Sequence, residues 1–288
     1  MIEAKIVKDS ISPDGVRLTT YVLTYPRFIH SEFMTHRMFS RNASSSRAIP
    51  VKKQIEMVAN NPAIPLAFTK NKAGMQGGDA LDGKQAELAE QVWMHACFHA
   101  MDKAKMLADL DVHKQYANRI LEPFSHITVV CSATEYANFF ALRNHPMAQP
   151  EIAELAKQMW EAYKTNEPDK LEYGQWHLPF IGKDEFIDTV LFPRSSDSIQ
   201  LNQLIKCSVA RCARVSYLNH EGKKPSVVED FQLYDRLVGS APIHASPAEH
   251  QAQCSAAQYF VGNFRSWSQF RKQIPGENIE TYNGPEEE

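Results

Sequence analysis

The residues best suited to chemistry stand together in "THRMFSRNASSSRAIP", Thr35 to Pro50. The run holds His36, Arg37, Ser40, Arg41, Asn42, three further serines including Ser45, and Arg47, with no acidic residue to balance them. Guanidinium forks match phosphate oxygens in pairs, and serine hydroxyls with exposed backbone amides add short donors, so this composition suits a nucleotide phosphate. A solvated basic loop has the same composition, and both readings stay open on composition alone. His36 and Ser40 lie four apart, as do Arg37 and Arg41, so each pair shares a face if a helix continues through them.

A second group lies in "NRILEPF" and "TEYANFFALR": Asn118, Arg119, Glu122, Glu135, Asn138 and Arg143. On a helix over the latter stretch, Glu135, Asn138 and Leu142 fall near one stripe, and Arg143 at the helix end also complements the dipole. A third group crowds around Pro247 in "HASPAEHQ", where His244, Ser246, Glu249 and His250 form either a site or a capping box with Ser246 as cap. His95 and His99 in "HACFH" have the spacing of a metal pair, but no adjacent glutamate or third ligand accompanies them, and no metal site is expected. Ser45 lacks the G-x-S-x-G setting of a hydrolase nucleophile. "SVARCARVSY" reads as an amphipathic helix with snorkelling arginines.

Positioning these groups requires a scaffold, and the pattern of the chain outlines one. "AKIVKDSI" and "GVRLTTYVLTY", on either side of the turn-like "SPDG", alternate as paired strands do. "PRFIHSEFMTHRMF" has helical spacing and would deliver His36 and Arg37 at its C-terminal end, "SRNASSSRAIP" reads as a loop, and Pro50 opens a helix over "VKKQIEMVAN". Asn60 to Gly83, rich in Pro, Gly and Asn, reads as one long loop. Helical segments follow from Lys84 to about Leu110, in "VHKQYANRILEPF" as far as Pro123, in "TEYANFFALRN", and from Pro150 to Lys164, with "SHITVVCSA" as an intervening strand. "SIQLNQLIKCSVARCARVSY" and "SVVEDFQLYDRLVG" are helical, the last apolar pieces are short and mixed, and "PEEE" is a solvated tail. There are no internal repeats, no regular βαβ alternation and no glycine-rich phosphate loop, which makes the expected class α+β.

Composition narrows the function further. The 288 residues suffice for one large domain or two packed ones, and the net charge of −3 argues against a dedicated duplex-DNA binder. No apolar run approaches the roughly 18 to 20 residues of a membrane span, and the start lacks the basic and apolar regions of a secretory signal, so a soluble, cytoplasmic protein is expected. The five cysteines are scattered without C-x-x-C pairs and read as buried or idle thiols.

Taken together, the three groups resemble the flavin-dependent thymidylate synthases, the ThyX family, whose signature reads R-H-R-x-x-S-x-N-x-x-S-x-R. Here it stands as T-H-R-M-F-S-R-N-A-S-S-S-R, keeping His36, Arg37, Ser40, Asn42, Ser45 and Arg47 but placing Thr35 at the first arginine and Ala43 at the family's acidic position. "NRILEPF" through "ALRNHPMAQPEI" is similar to the family's late segment. "ARVSY", with Arg214, and "HASPAEH" resemble segments that normally precede the signature. The resemblance therefore implies one ThyX-like catalytic domain over residues 1–288 in circularly permuted order, with the signature near 35–47 and the family's N-terminal-like segments near 207–254. Such an order is tolerable where old termini lie close and new ones open in an exposed connection.

The resemblance further implies a mixed fold with a small, mainly antiparallel sheet and long helices. FAD would sit between subunits of a homotetramer, with dUMP, methylenetetrahydrofolate and NADPH as substrates. Ser45, Arg47 and Arg119 would hold the nucleotide phosphate, and Arg143 would face the pyrimidine, so that Arg143 and Ser45 are the expected catalytic pair. His36, Arg37, Asn42, Asn138, His244 and Glu249 would line the flavin. Arg271 in "WSQFRKQ" is a candidate to supply the charge missing at Thr35, and the loop from Asn60 to Gly83 a candidate substrate lid. Thr35 and Ala43 keep open a relative that modifies another pyrimidine nucleotide or installs a hydroxymethyl group. An inactive flavin- or nucleotide-binding oligomer is a further alternative, and single-stranded nucleic-acid binding is disfavoured by the charge balance.

Overall fold

A computed structural model describes residues 1–182, 197–215, 225–256 and 258–278. β1 (Glu3–Ile11) and β2 (Arg17–Pro26) form the antiparallel pair expected from their alternation, closed by the "SPDG" turn with Gly15 at φ 77°. β4 (His126–Ala133) pairs along β2, β3 (Ser40–Ala43) pairs along β4, and a short β5 (Asp169–Lys170) lies parallel to β1, giving the order β3-β4-β2-β1-β5. The fold is α+β, with this small, mainly antiparallel sheet at its centre.

The two faces of the sheet follow from the two-residue period of its strands. Tyr21, Leu23 and Tyr25 of β2, with Ile127, Val129 and Cys131 of β4, point to one face. They pack there with Ile29, Phe33, Phe139, Phe140, Ile152 and Leu155. These last residues come from a 3-10 turn (Arg27–Ile29), α1 (His30–Met34), α5 (Ala137–Arg143) and α6 (Pro150–Thr165). Each fully buried side chain of this size contributes about 1.5–3 kcal/mol.

The intervening residues Thr20, Val130 and Ser132 face the other way, toward α7 (Asp197–Ala213) and a second sheet. That sheet has the order β6-β7-β10-β8-β9, with β6 (Trp176–His177), β7 (Ala252–Cys254), β8 (Phe260–Val261), β9 (Phe264–Arg265) and β10 (Trp267–Gln269). A buried chain of hydrogen bonds crosses between the layers. His250 Nδ1 meets Ser132 Oγ at 2.8 Å, Ser132 meets Thr20 at 2.6 Å, Thr20 meets His177 Nε2 at 2.8 Å, and His177 Nδ1 meets Ser10 Oγ at 2.9 Å. Burial pushes His250 down to about 3 and His177 well below its usual value, so both rings are neutral links in this chain. Trp267 Nε1 donates to the Val16 carbonyl at 3.2 Å, fastening the late chain to the start of β2.

The remaining helices are α2 (Val51–Asn60), entered through Pro50, the long α3 (Gly83–Asp109), α4 (Lys114–Ala117) running into a 3-10 turn (Asn118–Phe124), and α8 (Val227–Leu237). Residues 61–82 contain only an isolated bridge between Thr69 and Ala80, in keeping with a long loop. Ala63 N–H donates to the Phe124 carbonyl and Leu66 N–H to Glu151, so the base of that loop is anchored. All five cysteines are free and buried. Among the described residues no helix is long and apolar enough to cross a membrane. "PEEE" and the end of "ARVSY" beyond Val215 fall outside the described residues.

Three local expectations are corrected. "SRNA" is a strand rather than loop, because β4 offers it a paired edge from Ser40↔Ser132 to Ala43↔Val129. α1 ends at Met34, so His36 and Ser40 do not share a helical face. Arg211 does not snorkel: it is 1% exposed, and its Nε donates to the fully buried Asp230 at 2.8 Å, with Arg214 paired to the same carboxylate. The aspartate that α8 presents outweighs the pull of solvent on the guanidinium.

Candidate functional site

The signature run leaves α1, turns through His36 and Arg37, and enters the sheet as β3. Arg41 makes this turn possible: its Nη1 donates to the carbonyls of Phe33, Met34 and His36 at 3.3, 2.9 and 3.2 Å, satisfying acceptors that the end of a helix leaves open. Arg41 is thus a structural cap rather than a facing partner of Arg37. Its role was not legible from residue types, and its only sequence signal is an arginine a few residues beyond a short helix.

His36 is half-buried, its ring edge-on to Phe139 at 4.9 Å and stacked on Phe39 at 5.8 Å. Arg143 closes α5 and donates from Nε to His36 Nε2 at 3.0 Å. A guanidinium has no acceptor, so Nε2 carries the lone pair and the ring proton sits on Nδ1. Burial first, then the charges of Arg143 and Arg41, push His36 down to about 4. The imidazole is neutral at physiological pH and holds one edge of the Arg143 fork in place.

Beyond β3, a 3-10 turn (Ser46–Ala48) carries Ser45 as its cap, with Ser45 Oγ accepting from Arg47 N–H at 3.3 Å. Glu122 fastens the turn to the segment holding Arg119. Its Oε1 accepts from Ser46 Oγ at 2.8 Å and from Arg119 Nη1 at 2.8 Å, with Arg27 Nη1 at 3.5 Å. Asn118 Nδ2 donates to the carbonyls of Ser46 and Ile49, both at 2.8 Å. Segments about 70 positions apart in the chain are thereby brought together, and Ser45, Arg47 and Arg119 remain exposed at the surface they share. Among the described residues the Arg47 and Arg37 guanidiniums meet no hydrogen-bond or ion-pair partner, so both are free to take an anion.

The third group also arrives here. Its 3-10 turn (Ser246–Glu249) packs against β3 and α7. Ser246 is not a cap: Ala245 holds that position and makes no side-chain bond, and Ser246 is exposed within the turn. Asn42 Nδ2 donates to the Cys212 carbonyl at 2.9 Å, so its amide ties β3 to α7 and leaves its second N–H and its carbonyl oxygen for a ligand. Arg271 pairs with Glu249 and, at 2.7 Å, with Glu277, whereas Thr35 Oγ1 donates to the Glu32 carbonyl at 2.7 Å. Asn138 and His244 are placed at the protein surface or close to it. His95 and His99 lie on α3, and among the described residues no three potential metal ligands gather.

Residues 14–169 match the family described as thymidylate synthase complementing protein, Thy1. This chain belongs to the Thy1, or ThyX, family. The Thy1 match contains the signature run and the Arg119–Arg143 segment and ends before the third group. No curated protein matches the chain. Among solved structures, this Thy1 chain is similar to the UMP/dUMP methylase PolB from Streptomyces cacaoi bound with 5-Br UMP, at 19% identity, covering 57% of this chain and 88% of that one with a TM-score of 0.49. The same methylase bound with 5-Br dUMP gives 19% identity, 57% and 90% coverage, and a TM-score of 0.46.

Proposed function

We propose that this protein is a flavin-dependent thymidylate synthase that methylates dUMP at C5 to give dTMP, using methylenetetrahydrofolate and NADPH. The observation that carries the reading is the joining of the turn that Ser45 caps to Arg119 through Glu122, in the same signature run whose start holds an Arg143 fork oriented by a neutral His36. The free Arg47 guanidinium, the exposed Arg119 that Glu122 steadies and a serine hydroxyl suit a phosphate, while a cation held by a hydrogen bond suits a pyrimidine ring that gains negative charge as C5 becomes nucleophilic.

The donor set would also fit FAD: the unpartnered Arg37 offers a fork for an anionic group, and His36, Asn42, Asn138, His244 and Glu249, the last held by Arg271, would line the flavin with it. When bound, flavin reduced by NADPH supplies the hydride that converts the folate-derived methylene to a methyl group. The protein's own work is to hold the nucleotide phosphate with Ser45, Arg47 and Arg119, and to present Arg143 to the pyrimidine. Its neutral His36 keeps a second positive charge away from the Arg143 fork. We place the whole chain in one catalytic domain of permuted order, working as a homotetramer with sites between subunits. The loop from Asn60 to Gly83 is assigned as a substrate lid: shortening it should raise the folate KM, and unchanged turnover and folate affinity would reject that assignment.

Thr35 and Ala43 favour a second reading, in which another pyrimidine nucleotide is the substrate or a hydroxymethyl group is installed. Incubation with a panel of dUMP, UMP, dCMP and CMP, followed by product mass analysis, separates the two. A gain of about 14 mass units on dUMP supports thymidylate synthesis, whereas a gain of about 30, or reaction with only another base, transfers the chain to the alternative. Nucleotide and flavin binding without any product would make it an inactive oligomer of the same family.

A further inference from the structure

Gln269 lies well outside the family-matched residues, yet it touches two parts of the candidate site. Its Nε2 donates to Ser40 Oγ at 3.0 Å and to the Glu249 carbonyl at 2.9 Å. Ser40 is the signature serine that opens β3 and is fully buried, so it faces the interior rather than a ligand. Glu249 closes the 3-10 turn of the third group. The amide orientation is forced by these partners, since the Glu249 carbonyl can only accept. Ser40 Oγ accepts a second, longer bond from Asn263 Nδ2 at 3.4 Å, again from the late chain.

The late chain makes room for this arrangement. Gly262 has φ +66°, and a Cβ there would stand 2.0 Å from Gln269 Oε1 and 2.7 Å from its Cδ. Gln269 itself is 2% exposed, with its backbone held against Ala252 in the β10–β7 pair. Both amide hydrogens are committed and the oxygen is packed against a glycine, so the side chain has one position available to it.

We infer that Gln269 is a positioning residue that sets the separation between the signature strand and the turn bearing Glu249, and through it the width of the flavin-lining side of the site. This inference rests on the functional reading above, in which those two elements line one site. It gives the late segment from Gly262 to Gln269 a part in ligand binding although none of its side chains needs to touch the ligand.

The test uses the full chain with Q269M, which keeps length and removes both donors, and G262A, which keeps the amide but takes its space. Amide hydrogen exchange across residues 36–43 and 245–250 is measured first, then FAD affinity by fluorescence quenching, then kcat and KM. Both variants should speed exchange in both segments together and weaken FAD binding about tenfold, the size of one net hydrogen bond, with kcat at saturating FAD within about twofold of wild type. In an S40A background the further loss from Q269M should be smaller than in wild type. Unchanged exchange in either segment, unchanged FAD affinity despite faster exchange, or losses fully additive with S40A would each overturn the proposal. If the wild-type chain binds no flavin, the functional reading falls, and the exchange result alone decides whether Gln269 couples the two segments.

Discussion

Arg143 Nε lies 3.0 Å from His36 Nε2, joining the last turn of α5 to the first turn of the signature across 107 positions of chain. The bond uses the side of the guanidinium nearest the chain and leaves its outer nitrogens for a ligand. Lysine cannot reproduce this division, because a single ammonium group would have to serve both His36 and a ligand. Arg143→Lys should therefore lower the rate of C5 chemistry on dUMP by about 10²- to 10³-fold, the usual cost of removing one fixed donor at a developing charge, with the melting temperature nearly unchanged. A rate close to wild type would remove Arg143 from the chemistry.

Arg47 supplies a complementary test, because it is exposed and, on this account, meets only the phosphate. Arg47→Ala should raise the KM for dUMP by about 10- to 100-fold and leave kcat within a few-fold, the pattern of lost uniform binding. The same variant should bind deoxyuridine, which lacks the phosphate, no worse than wild type. Equal losses for nucleotide and nucleoside would place Arg47 elsewhere.

Much of this arrangement is legible in the residue pattern alone. The β1–β2 alternation around "SPDG", the β-branched run of β4 and the helical spacing of α2, α3 and α6 all mark elements that form. Strand β3 escapes such reading because "SRNA" has the composition of a loop, and only the edge of β4 makes it a strand. Strands β7 to β10, two or three residues each, are too short to show a period. Arg41, Arg211 and Gln269 escape for another reason: each is polar by type but interior by partner, and those partners are distant or lie on other elements. The polar types of the candidate site were legible; the interior bonds that assemble it were not.

The α7–α8 contact shows how strongly such partners act. Asp230 is fully buried and receives Arg211 and Arg214. Asp230→Ala would remove the buried carboxylate that both arginines meet and should cost about 3–5 kcal/mol in urea unfolding. A loss below about 1 kcal/mol would mean that water reaches this pair.

Stability should also depend on pH through histidines held neutral. Burial lowers His36 to about 4 and His250 to about 3, and lowers His177 strongly, while each titrates near 6.5 in the unfolded chain. Between those values the unfolded state binds more protons than the folded one, so stability is fully present above about pH 6.5 and declines as pH falls from there toward about 4. Urea midpoints measured from about pH 7.5 down to about pH 5 should decrease steadily. A flat profile would contradict the neutral chain through His250, Ser132, Thr20 and His177.

Flavin binding and C5 chemistry are tested together on one sample of purified protein. An absorbance spectrum is taken after incubation with FAD and gel filtration, and tritium release from [5-³H]dUMP is then followed with methylenetetrahydrofolate and NADPH. The expected result is retained flavin and tritium release that requires both co-substrates and is abolished in Arg143→Ala. Loss of flavin at every FAD concentration together with no tritium release would contradict it.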